Sequence, residues 1–431
     1  MTYRIESVHA IEILDSRARP TLEVTCTING HTATAGVPSG ASTGTREAVE
    51  LRDGDPNRYG GQGVTRAAAN VNGEIADAVS RRVFDSLAAL DRALIDLDGT
   101  DTKARLGANA IVGVSIAAAR AMAAVDNVEF YRRLSPAGCE LRLPVPHFNV
   151  INGGAHAQNP LDFQEFMLAP LGAESFADAV RAGAEVYAAL RARIHAAGMA
   201  TGLGDEGGFA PDLATPEEVL ELIVASIETA GYTPGRDGVA IALDPAASEF
   251  RNDDGTYQVA GESLSSDDMV DRYESMIDRF PIWSIEDGLA ENDDDGWVRL
   301  TERLGGRVQL VGDDNFVTNP AIITAAIERG IANAALIKVN QVGTVTETLD
   351  AMAICRDAGY AQMVSHRSGE TTDTFIADLA VATGCGQLKT GAPARGERVA
   401  KYNRLLAIAD TDPEMPYGIP RAESERQASA S

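Results

Sequence analysis

Lysine occurs four times in this chain of 431 residues, against thirty-three arginines. Arginine therefore does the ordinary cationic work, but it could not take over a job that needs the proton to come off. Two of the four, Lys338 and Lys389, close apolar β-like runs, Ala-Leu-Ile-Lys338 and Gly-Gln-Leu-Lys389. Other runs in the same half end in acids: Val239 to Leu243 precedes Asp244, Ile282 to Ile285 precedes Glu286, and Val308 to Gly312 precedes Asp313. Three such carboxylates crowded without a counter-ion raise one another's pKa, and a divalent cation resolves this; Mg²⁺ suits all-oxygen ligation that leaves positions for water and substrate. A metal and Lys389 nearby would both disfavour the charged form of Lys338, bringing it toward working pH as a general base, while Lys389 stays charged and holds an anion.

His366-Arg367-Ser368-Gly369 follows Gln362 to Val364 and sets a guanidinium fork beside a hydroxyl, a pair suited to phosphate or carboxylate. Glu206 sits among glycines in Gly202-Leu-Gly-Asp-Glu-Gly-Gly208, His156 ends Asn152-Gly-Gly-Ala-His, and Glu165 lies in Phe163-Gln-Glu-Phe166. Each has an ordinary structural reading: a strand-end Asp caps the next helix, a lysine snorkels, a Gly-rich stretch is a turn. It is the phase that carries the functional reading. From Asp244 through Lys338, His366 and Lys389 the charged run-ends recur mostly about 25 residues apart, one strand-loop-helix unit, as in a (β/α) barrel whose site lies on its strand ends.

The elements that must position these residues divide in two. Residues 1–137 read as a smaller α+β domain: strands through Ile5, Val8, Ile11 and Ile13 and through Leu22, Val24 and Ile28, a hairpin at Asn29-Gly30, then helices on Val71, Ile75, Val79 and Val83 and on Ala108 to Ala124. Periodicity stops at Ser135-Pro-Ala-Gly138, and 138–410 reads as an α/β (β/α)8 barrel. Helices are expected at Thr215-Pro-Glu-Glu218 and from Ser266-Asp-Asp268, and a flexible tail over 411–431.

A net charge of −26 without a Lys or Arg cluster excludes a nucleic-acid face. Four cysteines far apart suggest reduced thiols and no zinc or redox motif, and Ala108 to Val125 carries Asn109, Ser115 and Arg120, as a buried core helix would rather than a membrane span. Cytoplasmic residence is expected. Lys389-Thr-Gly391 lacks the Ser-x-x-Lys that would make it a penicillin-recognising signature, and neither Gly-x-Gly-x-x-Gly nor a Walker loop is present.

Taken in order, Ser39-Gly-Ala-Ser-Thr-Gly44, Leu106-Gly-Ala-Asn-Ala-Ile111, Gly204-Asp-Glu-Gly-Gly208, Ser284-Ile-Glu-Asp-Gly288, Val311-Gly-Asp-Asp314, Ile337-Lys-Val-Asn-Gln341, Ser365-His-Arg-Ser-Gly-Glu370 and Val399-Ala-Lys-Tyr-Asn403 resemble the enolase family to about residue 409. The resemblance implies a barrel that begins with an antiparallel ββαα unit, and the reversible dehydration of 2-phosphoglycerate to phosphoenolpyruvate in glycolysis. It also implies two Mg²⁺, the first on Asp244, Glu286 and Asp313 and the second with Ser42. Lys338 would take the C2 proton, and Glu206, helped by Glu165, would protonate the departing C3 hydroxyl. Arg367 and Ser368, with His366 beside them, would hold phosphate, Lys389 the carboxylate, and His156 would sit over the phosphate side. A homodimer or higher homo-oligomer is implied as well. A Lys base with Mg²⁺ is the arrangement known for this superfamily. The chain departs from the family at Ala18 and Arg19, where Gly-Asn is usual, and at Gly60 and Gln62; if the usual glycine needs a positive φ, Ala18 is strained. These departures leave open a paralogue acting on a phosphonate or other analogue. A scaffold that merely kept the fold is a third reading, which does not require ligands, base and acid to occur together.

Overall fold

The computed structural model of the chain describes residues 2–40 and 44–420. Its first part is a four-stranded sheet of β1 (Tyr3–Leu14), β2 (Pro20–Ile28), β3 (His31–Gly36) and β4 (Val83–Phe84), in the order β3-β2-β1-β4. Asn29 (φ 47°) and Gly30 (φ 79°) form the tight turn between β2 and β3, because two successive positive φ values match the twist of a two-residue hairpin. Val71, Ile75 and Val79 are buried on the helical stretch over 65–79 as their spacing predicts. Val83 departs from that stripe: it pairs with Arg4 on the edge strand β4 and is exposed. The helix Ala108–Asp126 packs on β2 and β3; it alone among the described residues is long and apolar enough to cross a membrane, and it is mostly buried as the core of this α+β domain.

The remaining strands are β5 (Val145–Asn152), β6 (Glu165–Ala169), β7 (Ala240–Asp244), a small hairpin of β8 (Tyr257–Val259) and β9 (Glu262–Leu264), then β10 (Ile282–Glu286), β11 (Gln309–Gly312), β12 (Ala334–Ile337), β13 (Ala361–Ser365) and β14 (Gln387–Lys389). Eight of them close a barrel in the order β10-β11-β12-β13-β14-β5-β6-β7. All neighbours are parallel except that β6 runs antiparallel to both β5 and β7, so the barrel opens ββαα. Thr215 caps the helix Pro216–Thr229 in a capping box with Glu218. The next helix starts at Ser266 as its sequence suggests, with Ser265 as its cap and Asp268 completing the box. The loose tail expected from residue 411 does not begin there. The helix Gly396–Thr411 is followed by a segment that donates from Gly418 N to Leu143 O (3.0 Å), accepts from Leu143 N at Pro416 O (2.8 Å), and reaches Pro170 O with the Tyr417 hydroxyl (3.0 Å). Residues 421–431 lie outside the described residues.

Candidate active site

The barrel register gathers the charged residues at one mouth. Asp244, Glu286 and Lys389 are the last residues of β7, β10 and β14; Asp313, Lys338 and His366 immediately follow β11, β12 and β13. Glu165 is the first residue of β6, and because that strand is antiparallel it stands opposite Asp244 at the same mouth. Glu206 reaches the mouth on a Gly-rich turn over Asn152 at the end of β5. A Cβ on Gly204 would stand 2.7 Å from Asn152 Cβ and Oδ1, and one on Gly208 2.7 Å from the same Oδ1, so only glycine lets the turn lie this close. The cleft is lined by His156, Glu165, Glu206, Asp244, Asp313, Lys338, His366, Arg367, Ser368 and Lys389, together with Asp287 and Asp314. Glu286 is buried beneath it. Ser42 lies outside the described residues.

Two lysines organise the acids. The Lys389 ammonium donates to Asp244 Oδ2 (2.8 Å) and Glu286 Oε1 (2.7 Å), with Glu165 Oε1 3.3 Å away. Lys338 pairs with Asp313 Oδ2, whose other oxygen accepts from Gln341 Nε2 (2.8 Å). On the far side His156 Nε2 stands 3.3 Å from Glu206 Oε1 and 3.6 Å from Glu165 Oε1, while Glu206 Oε2 accepts from Asn149 Nδ2 (3.0 Å) and lies 3.2 Å from His366 Nε2. The fully buried Arg398 guanidinium fixes the 366–368 loop, contacting His366 Nδ1 (2.6 Å) and donating to Arg367 O (2.7 Å) and Ser368 O (2.6 Å). Sequence reading did not single out Arg398, Asn149, Gln341 or Asp287. For Asp287 a signal exists: Glu286-Asp287 and Asp313-Asp314 are doubled acids at strand ends, and Asp287 accepts from the backbone N–H groups of Asp313 (2.9 Å) and Asp314 (3.0 Å).

Electrostatics separates these groups. Burial and the charge of Glu206 push Glu165 up to about 7. Burial acts the same way on Glu206, but His366, His156 and Arg398 outweigh it and hold that carboxyl well below the usual range. Of the pair, Glu165 therefore keeps its proton to the higher pH, which is how paired carboxyls divide acid and base roles. His156 is raised: burial opposes its charge, and Glu206 and Glu165 more than compensate. His366 is pushed down to about 3 by burial, with Arg398 adding to the effect. For Lys338 the sequence predicts lowering by a metal and by Lys389 together. Burial, Arg367 and Lys389 do lower its pKa, yet the adjacent Asp313 carboxylate outweighs them and holds it above the ordinary lysine value. That hold on the Lys338 proton is relieved only if the charge of Asp313 is engaged elsewhere.

That requirement bears on whether a cation fits. Burial and neighbouring carboxylates push Glu286 and Asp287 well up and Asp314 up to about 8, and Glu286 Oε2 and Glu165 Oε2 are buried without a hydrogen-bond partner. An acid-rich, under-compensated mouth of hard oxygens fits Mg²⁺. Among the described residues two groups bring ligand atoms within 4.8 Å of one another: Asp287, Asp313 and Asp314, and His156, Glu165 and Glu206. The expected set of Asp244, Glu286 and Asp313 is not one of these two groups: Lys389 donates to the first two, and the Asp313 carboxylate is paired with Lys338 and Gln341.

The N-terminal part, residues 5–134, matches the family model "Enolase, N-terminal domain", and residues 140–416 match "Enolase, C-terminal TIM barrel domain". The chain belongs to the enolase family. It is 58% identical over 410 residues to the enolase of Rubrobacter xylanophilus, an alignment that covers 94% of this chain and 95% of that one. As an enolase-family hydro-lyase it carries out the reversible dehydration of 2-phospho-D-glycerate to phosphoenolpyruvate, and its two acidic groups are consistent with the two Mg²⁺ sites typical of enolases.

Proposed function

We propose the following division of labour for that reaction. Lys338 removes the C2 proton, and the Glu165–Glu206 pair gives a proton to the departing C3 hydroxyl. Arg367 and Ser368 hold the phosphate, with His366 beside them and His156 over it, and Lys389 holds the carboxylate. Asp244, Glu286 and Asp313 would hold the first Mg²⁺, and Ser42 would contribute to the second. When bound, Mg²⁺ supplies stabilisation of the second negative charge that builds on the substrate carboxylate as C2 is deprotonated.

One observation carries this reading. Lys338 follows β12 and Glu165 begins β6, four strands away in either direction around an eight-stranded barrel, so base and acid face each other across the mouth. A substrate lying between them loses its proton from one face and its hydroxyl from the other. Exchange of the C2 hydrogen with solvent tests the assignment. K338A should lose both exchange and dehydration, whereas E206Q should keep exchange while dehydration falls; loss of both alike in E206Q removes the two-sided scheme.

A homodimer is supported by the exposed apolar Ile11 (47% exposed) and Leu14 (55%) on β1. Cytoplasmic residence is supported by four cysteines that all remain free thiols, three of them buried. Light scattering settles the first point.

A further inference from the structure

The Arg367 fork is already in contact with an anion supplied by the chain. Its Nη1 and Nη2 each donate to one oxygen of Glu47, both at 3.0 Å, and both side chains are more than nine-tenths buried. Glu47 is not a floating surface acid. Its Oε1 also accepts from Gln341 Nε2 (3.2 Å) and Gly44 N (3.1 Å), and Ala48 N next to it donates to Gln341 O (2.8 Å). Asn340 Oδ1 takes a further donor from Arg367 Nη1 (3.0 Å). A buried guanidinium bound bidentately by a fixed carboxylate is held in one orientation, but its charge is largely neutralised toward any second anion.

We propose that Glu47 is a positioning residue that acts through Arg367 and lowers its affinity for the phosphate group of substrate and product. The proposal rests on the reading of Arg367 as a phosphate-binding residue. A phosphate reaching the fork must share it with Glu47 or displace it, against repulsion between two anions in a water-poor site. The benefit is kinetic. Substrate and product carry the same phosphate, so binding it equally in both lowers KM without speeding chemistry, and excess affinity slows product release. A purely structural strut would behave in the opposite way, because removing it would loosen Arg367 and weaken phosphate binding.

The test compares wild type, E47Q, R367Q and the double variant, using inorganic phosphate as competitive inhibitor and phosphoenolpyruvate binding by calorimetry, with circular dichroism confirming the fold. E47Q is expected to bind both ligands about threefold or more tightly, because a desolvated like charge has been removed, with a lower KM and a reduced kcat. R367Q is expected to weaken both ligands, and E47Q should add nothing in that background. If E47Q is not recovered folded, E47D, whose side chain is one methylene shorter and draws the carboxylate back from the Nη atoms, must show the same sign. Unchanged or weaker phosphate binding in the folded Glu47 variant, beside a weakened R367Q, overturns the role of Glu47. Phosphate inhibition unaffected by R367Q instead overturns the assignment of Arg367 on which the proposal depends.

Discussion

The Lys389 ammonium, 2.8 Å from Asp244 and 2.7 Å from Glu286, serves as an internal counter-ion for the acids of the barrel mouth. Burial lowers its pKa, but Asp244, Glu165 and Glu286 outweigh this and keep it charged. K389M removes the charge and keeps the bulk, leaving these acids uncompensated, and breaking a buried pair in this way costs about 3–5 kcal/mol. Its Tm should fall, and Mg²⁺ should raise the Tm of K389M more than that of wild type, since a divalent cation would then serve the same carboxylates. Equal Mg²⁺-induced shifts in the two proteins would show that Lys389 and the metal do not share these acids.

K338A should lower turnover about 10²–10⁴-fold, the range for a positioned general base. Phosphoenolpyruvate formation, followed by its ultraviolet absorbance, reads this out. The fold should persist, because Lys338 N still donates to Thr318 Oγ1 (2.9 Å) and only the pair with Asp313 is lost. Near-normal turnover in a folded K338A would place the base elsewhere.

What the sequence made legible follows from strand periodicity. Asp244, Glu286, Asp313, Lys338, His366 and Lys389 all end or follow parallel strands, so a rule of charged run-ends finds them together. Glu165 escapes that rule, since it begins an antiparallel strand and meets Asp244 only through the pairing of β6 with β7. Glu47 and Arg398 are reached through tertiary contact alone. Arg398 lies in a helix 31 residues past Arg367, and Glu47 is 320 residues from that guanidinium, spacings with no local signature. The pKa of Lys338 is set in the same way by tertiary contact: without a metal its nearest charge is the Asp313 carboxylate, and the direction depends on that one contact.

His147, buried in β5 beside Trp283 with ring centroids 5.6 Å apart, sets part of the acid limit of stability. Burial lowers its pKa from 6.5 to about 3. A group with a depressed folded pKa contributes fully above its unfolded value, so this stability is complete above pH 6.5 and is lost as the pH falls toward 3, at up to about 1.4 kcal/mol per pH unit. H147F should therefore show a shallower decline of Tm between pH 6.5 and 3, running parallel to wild type above that window. His366 acts in the same direction, so the decline should be reduced, not abolished. An unchanged acid slope would mean that His147 is protonated in the folded barrel.

Ala18 occupies a left-handed position, φ 58°, inside a turn in which Asp15 Oδ1 accepts from Arg17 N (2.8 Å) and Arg19 N (2.9 Å). Most enolases are expected to place glycine there, and an alanine in this region costs about 1 kcal/mol through the approach of Cβ to the following carbonyl. The turn keeps its shape because the Asp15 contacts over-determine it, and Asp15 Oδ2 in turn accepts from Ser39 Oγ (2.7 Å) at the edge of the active-site mouth. A18G should raise stability by about 0.5–1 kcal/mol, roughly 1–2 °C in Tm for a protein of this size, with KM unchanged because no side-chain contact to the mouth is altered. Calorimetry on the two proteins decides it. A lower Tm for A18G would mean that the added backbone freedom of the unfolded chain exceeds the relief of strain, and that this departure from the family has been accommodated without cost.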